Sequence, residues 1–156
     1  MSRPRIVNIS ELPWREWRHG ERIAVEFRDP ARHLGTSASG LRIERLAPGM
    51  QASPPHRHHF QEEMFLILRG RGLLRHGGED VPVTEGDFIV YRAGDPEPHT
   101  FLNDGPEPLE LIATGNRVPH EVCEFPAEGA VYVEALDRVL SSAPAHDFQP
   151  RKGDTA

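Results

Sequence analysis

The chain of 156 residues has one cysteine, Cys123, and one lysine, Lys152. A lone cysteine excludes an intrachain disulfide. With lysine nearly absent, positive charge falls to arginine, which reads as composition bias, while a single arginine can still grip a planar anion. No apolar run approaches the roughly 18 residues of a spanning helix, and no signal-type apolar stretch opens the sequence. A cytoplasmic protein without a membrane partner is the expectation. Nor is there a concentrated basic face: the net charge is −6 and the pI about 5.8. Binding to a nucleic-acid phosphate backbone needs such a face, and no helix-turn-helix segment is evident, so no nucleic-acid partner is expected.

What the chain does have is 37% hydrophobic residues, enough for one core, with 14 Gly and 15 Pro spread along its length. That spread suits many short strands joined by tight turns. Residues 1–35 form a polar lead-in carrying Trp14 and Trp17, which share one face of a helical turn or clamp this arm onto the domain or a partner subunit. Strands are expected to begin at Leu41, to cover Met64 to Leu68, Val81 to Val83, Phe88 to Tyr91 and His99 to Leu102, and to run again from Leu109 to Ala113. Turn residues separate them every 8–12 positions, the rhythm of a sandwich or barrel. Beyond Val118 that rhythm fades. Val133, Leu136, Val139 and Leu140 fall on one face of a short helix over 133–140, and Gln149 to Ala156 reads as a frayed end.

The stretch with the most chemistry is Pro54-Pro55-His56-Arg57-His58-His59-Phe60-Gln61-Glu62-Glu63. On an extended strand His56 and His58 point the same way, so both imidazoles can hold one ion. A carboxylate follows as Glu62 or Glu63, and only one of the two can face inward; periodicity leaves that choice open. His99, at the start of a later strand, offers a third imidazole. Three imidazoles and a carboxylate suit Zn, Fe, Ni, Cu or Mn, with positions left for water or substrate. His59 should point away from His58, and Arg57 onto the outer wall. His19, His33, His76, His120 and His146 lack ligand-like spacing.

Over about residues 40 to 115 the sequence resembles the cupin superfamily. That family's first motif, a glycine, His-x-His, a glutamate and a second glycine, appears as Gly49, His56, His58, Glu63 and Gly70. The resemblance selects Glu63 over Glu62. The second motif appears as Gly86, Gly94, His99 and Asn103. Arg92 stands where the family carries proline, and the spacer Asp95 to Pro98 before His99 is two residues longer than usual. A closer likeness is to small bacterial cupins with a Trp-rich lead-in and a Gly-x-Arg-Val-Pro stretch, here Gly115 to Pro119.

The resemblance implies an all-β, double-stranded β-helix (jelly-roll) barrel over residues 36–118. The N-terminal arm would span 1–35 and a C-terminal extension with a short helix 119–156. It implies a homodimer, and one divalent metal ion on His56, His58, Glu63 and His99. Strand alternation adds a substrate pocket of Phe65, Ile67, Phe88, Val90 and Phe101. Arg45, Arg75, Tyr91 and Arg92 are polar side chains within reach of it, each expected exposed. For function, the resemblance implies a small-molecule ligand and suggests a mononuclear non-haem iron dioxygenase, an oxidoreductase. The alternatives are a metal-dependent isomerase or lyase, or a module that binds a ligand or metal without turnover.

Overall fold

In a computed structural model, residues 3–142 are described. Thirteen strands carry the fold: β1 (Arg15–His19), β2 (Ile23–Arg28), β3 (Ser39–Leu46), β4 (Arg57–His58), β5 (Glu63–Arg69), β6 (Arg71–His76), β7 (Glu79–Thr84), β8 (Phe88–Tyr91), β9 (His99–Leu102), β10 (Leu109–Asn116), β11 (Val122–Phe125), β12 (Ala130–Val133) and β13 (Arg138–Ser141). They form three antiparallel sheets, ordered β1-β2-β3-β10-β5-β8, β7-β6-β9 and β13-β12-β11-β4. The expected closed barrel is therefore replaced by facing sheets whose hydrogen bonding does not run round continuously. Isolated bridges, His56 to His99 and Gln51 to Leu102, tie their edges together.

The core follows from alternation. On β5, Phe65 and Ile67 are buried while Leu68 is exposed, so Glu63 shares the inner face. Leu109 and Leu111 of β10 and Leu46 of β3 continue that face, and Leu74, Val83 and Phe101 meet it from the three-stranded sheet. Each such side chain contributes about 1.5–3 kcal/mol on leaving water. All four motif glycines, Gly49, Gly70, Gly86 and Gly94, have positive φ. At Gly70 a Cβ would also lie 2.6 Å from the Pro108 carbonyl oxygen, so the β5–β6 turn has no room for a side chain.

The residues at both ends differ from expectation. Trp14 and Trp17 do not share a helical turn. The guanidinium groups of Arg28 and Arg45 lie 4.4 and 4.2 Å from the Trp14 ring centroid, and Trp17 lies exposed on β1. β1 and β2 extend the large sheet directly, because β2 pairs with β3. The helix expected over 133–140 is instead a hairpin, β12 paired with β13. Gly129 and Asp137 both take left-handed conformations that break the segment into turns, and Val131, Val133 and Val139 are β-branched residues that favour strands. The frayed end expected from Gln149 to Ala156 lies outside the described residues. No helix among the described residues is long and apolar enough to cross a membrane.

Candidate metal centre

Three strands bring four candidate ligands together. His56 precedes β4, His58 lies on it, Glu63 opens β5 and His99 opens β9. His56 and His99 exchange backbone hydrogen bonds of 3.2 and 2.8 Å, which fixes the orientation of His99 despite the longer spacer before it. That spacer is itself anchored. Arg57 donates to the Pro96 carbonyl at 2.7 Å, and the Arg92 N–H donates to Asp95 Oδ2 at 2.8 Å, a bond that proline at position 92 would not make.

The imidazole Nε2 atoms of His99, His58 and His56 stand 3.0, 3.3 and 3.8 Å from Glu63 Oε2. His56 Nδ1 is held by the Pro54 carbonyl at 3.0 Å and the Ser53 hydroxyl at 3.2 Å. His58 Nδ1 is 3.2 Å from Glu121 Oε1. A partner on Nδ1 leaves Nε2 as the donor for a metal, and that is how ligating histidines are generally oriented. The donor set thus fits a divalent cation. His56, Glu63 and His99 offer ligand atoms mutually within 4.8 Å, and so do His56, His58 and Cys123. Nδ1 of His99 is buried without a hydrogen-bond partner.

Electrostatics are divided between the two neighbouring histidines. Burial is the largest influence on His56, and with repulsion from His99 and His58 it pulls the pKa down to about 4 against the attraction of Glu63. Burial also acts to lower His58, but hydrogen bonds and attraction from Glu63 and Glu121 outweigh it and raise the pKa. For Glu63, burial raises the pKa, yet hydrogen bonds from His58 and His99 prevail and hold the carboxyl well below its usual range. Glu63 and Glu121 therefore favour the protonated form of His58, with which a metal ion would compete.

The predicted pocket divides. Phe65, Ile67 and Phe101 are buried in the core, and the Phe65 ring centroid lies 5.8 Å from that of His99 and 5.0 Å from that of Phe101. Phe88 and Val90 are 61% and 49% exposed and face outward, a correction: β8 presents Ile89 and Tyr91 to the core instead. Tyr91, expected exposed, is buried and stacks on His99 at a centroid distance of 3.7 Å, while its hydroxyl is 3.0 Å from His76 Nδ1. Arg45 pairs with Glu26, and Arg75 with Asp80 and Gln51, both away from the imidazole cluster. Arg57 turns away from the histidines to Glu124, and His59 sits 3.3 Å from the same carboxylate. A narrow recess lined by Arg57, Gln61, Tyr91, Arg92, Asp95 and Glu97 reaches His58, Glu63 and His99.

Two residues at the site escaped the sequence reading. Glu121 is 2% exposed and accepts from the backbone N–H groups of His59 and Phe60 as well as facing His58. Cys123 is buried, with burial first and then Glu63 and Glu121 pushing its thiol up to about 12. Asn103 of the second motif lies outside the cluster: it is buried and donates to the Leu46 and Glu107 carbonyls, pinning the loop after β9.

Residues 42–115 match the model of the cupin domain family. That stretch of the chain is a cupin domain. Among curated relatives, this cupin is 35% identical over 69 residues to the oxalate-binding protein of Thermotoga maritima, covering 44% of this chain and 54% of that one. The match thus spans about half the length of that relative. Among solved structures, a candidate sugar phosphate isomerase from Acidithiobacillus ferrooxidans superposes with a TM-score of 0.81 at 21% identity, over 91% of this chain and 93% of that one. A sugar phosphate isomerase from Silicibacter pomeroyi gives 0.74 at 23% identity, over 81% and 85% of the two chains. At those identities the structural likeness concerns the fold alone.

Proposed function

We propose that this cupin holds one divalent metal ion on His56, His58, Glu63 and His99 and takes a small organic acid with two oxygen donors at the ion's remaining positions. The observation that carries this reading is the approach of three imidazole nitrogens to one carboxylate oxygen, within 3.8 Å. The positions of the ion that the protein leaves open can take the oxygens of an anionic chelator. The arginines at the mouth add little attraction for it, because Arg57 is paired with Glu124 and Arg92 with Asp95. The metal, rather than a basic side chain, would recognise the ligand. The name of the oxalate-binding relative supports a short dicarboxylate as the first ligand to try.

A phosphosugar isomerase reading is disfavoured by the same pairing, since phosphate recognition calls for uncommitted cations at the mouth. The iron dioxygenase reading rests on the donor set, which suits iron as well as other first-row ions. It predicts oxygen consumption by the iron-loaded protein with a chelating substrate. A homodimer remains part of the proposal, because exposed Phe88 and Val90 lie on edge strand β8. Light scattering at twice the 17.5 kDa chain mass would support it, and the chain mass itself would overturn it.

Calorimetric titration of oxalate into the manganese-loaded and metal-free proteins tests the main reading. Binding that requires the metal supports it. Equal binding by both forms, or none by a fully loaded protein across a series of short dicarboxylates, overturns it.

A further inference from the structure

Cys123 is the chain's only cysteine, and it sits beside the proposed metal site. It lies on β11, opposite His58 in the pairing of β11 with β4. Its sulfur and one ring nitrogen each from His56 and His58 lie mutually within 4.8 Å. The thiol is buried and takes part in no disulfide. His56 therefore belongs to two overlapping donor sets, one with Glu63 and His99 and the other with His58 and the sulfur of Cys123, while His58 Nε2 also stands 3.3 Å from Glu63 Oε2.

We propose that Cys123 is a further metal ligand, giving this site a sulfur donor and a preference for thiophilic ions such as zinc, cadmium or copper(I). The inference rests on the metal reading given above and extends it to the class of ion. Nitrogen–metal and sulfur–metal bonds of about 2.0 and 2.3 Å put neighbouring donors around one ion about 3–3.5 Å apart. Donors already within 4.8 Å need a closing motion on the order of 1 Å, within reach of side-chain rotation. On binding, the sulfur gives its proton to solvent and coordinates as thiolate; nothing is oxidised or reduced. Soft sulfur discriminates against manganese and magnesium, which prefer oxygen, and in favour of ions with affinity for thiolate.

The test is titration of the chelator-stripped full chain with cobalt(II), followed by absorbance, for the wild type and for Cys123→Ser and Cys123→Ala. With a single cysteine, any thiolate-to-cobalt charge-transfer band in the near ultraviolet reports Cys123. The expected result is a band that saturates at one equivalent in the wild type and is missing from both variants, which still take up cobalt. Competition with cadmium should show at least a tenfold loss of affinity in the variants and less than a threefold change for manganese. Uptake of one cobalt by the wild type without the band would overturn the sulfur ligand and leave the His56, His58, Glu63 and His99 site standing. No cobalt uptake by the wild type would overturn both. Because the wild-type spectrum decides alone, a variant that misfolds does not blunt the test.

Discussion

Replacing Glu121 tests whether the site depends on a residue that lies outside both family motifs. Its carboxylate faces His58 Nδ1 at 3.2 Å and accepts from the N–H groups of His59 and Phe60 at 3.0 and 3.1 Å. The His59 N–H is shared with the Val122 carbonyl at 3.0 Å, so only His58 and Phe60 lose their partner outright in Glu121→Ala. At about 1 kcal/mol for each lost bond, and about 1 more for the space left behind, the variant should be about 3 kcal/mol less stable. It should also bind metal roughly 10–100-fold more weakly, because nothing then holds the His58 ring with its proton on Nδ1. Glu121→Gln differs. Its amide oxygen can stay on His58 and His59, and its NH2 group then meets the Phe60 N–H, a loss of about 1 kcal/mol with metal affinity largely kept. Urea unfolding followed by Trp14 and Trp17 fluorescence gives the stabilities, and competition with a chromophoric chelator gives the affinities. A folded Glu121→Ala protein that binds metal as tightly as the wild type would refute the positioning role.

Gly115→Ala should both destabilise the fold and weaken metal binding: a Cβ there would sit 2.3 Å from the Glu62 carbonyl oxygen, and Gly115 pairs with Glu63 across β10 and β5. A cost of about 1–3 kcal/mol is expected for such overpacking, read by thermal melting alongside metal content; unchanged values in both would contradict the register. For the metal-free protein, His56 makes stability fall on acidification. Its pKa in the fold, about 4, lies below the 6.5 of the unfolded chain, so the unfolded state takes up the proton first. The decline runs from pH 6.5 to about 4 and amounts to about 3 kcal/mol, since each unit is worth about 1.4. His56→Gln should flatten that decline in urea titrations at several pH values, and an equal slope in both proteins would contradict it. His58 acts in the opposite sense, its raised pKa contributing stability that is complete below 6.5 and lost as pH rises through the folded value. His59→Ala should leave metal content unchanged, because that ring turns to Glu124; a large loss would mean that the strand register is off by one.

The cluster was legible in the sequence because its parts obey short-range rules. The x between His56 and His58 forces a common face, and the motif glycines stand where the chain needs positive φ. Glu63 over Glu62 was not readable from β5 alone, where apolar residues fill both faces; the family spacing chose it. The same lack of contrast in Phe88-Ile89-Val90-Tyr91 hides the inner face of β8, which carries Ile89 and Tyr91 where alternation points to Phe88 and Val90. Over 133–140 the spacing of apolar residues imitates a helical stripe, while the β-branched valines and the left-handed turn at Asp137 decide for a hairpin. Glu121 and Cys123 gave no signal for a different reason. They reach His58 only through the pairing of β11 with β4, a contact across more than 60 residues of chain that leaves no local period to read.

Metal analysis of the untagged protein by mass spectrometry, for the wild type, His58→Ala and Glu63→Ala, tests the central claim most directly. The account predicts about one equivalent of a first-row metal per wild-type chain after loading and gel filtration. Both variants should lose that metal while remaining folded by circular dichroism, because the core formed by Phe65, Ile67, Phe101, Leu109 and Leu111 does not depend on the ion. Full occupancy in either variant, or a wild-type protein that neither retains a metal nor gains thermal stability from added ions, would contradict it.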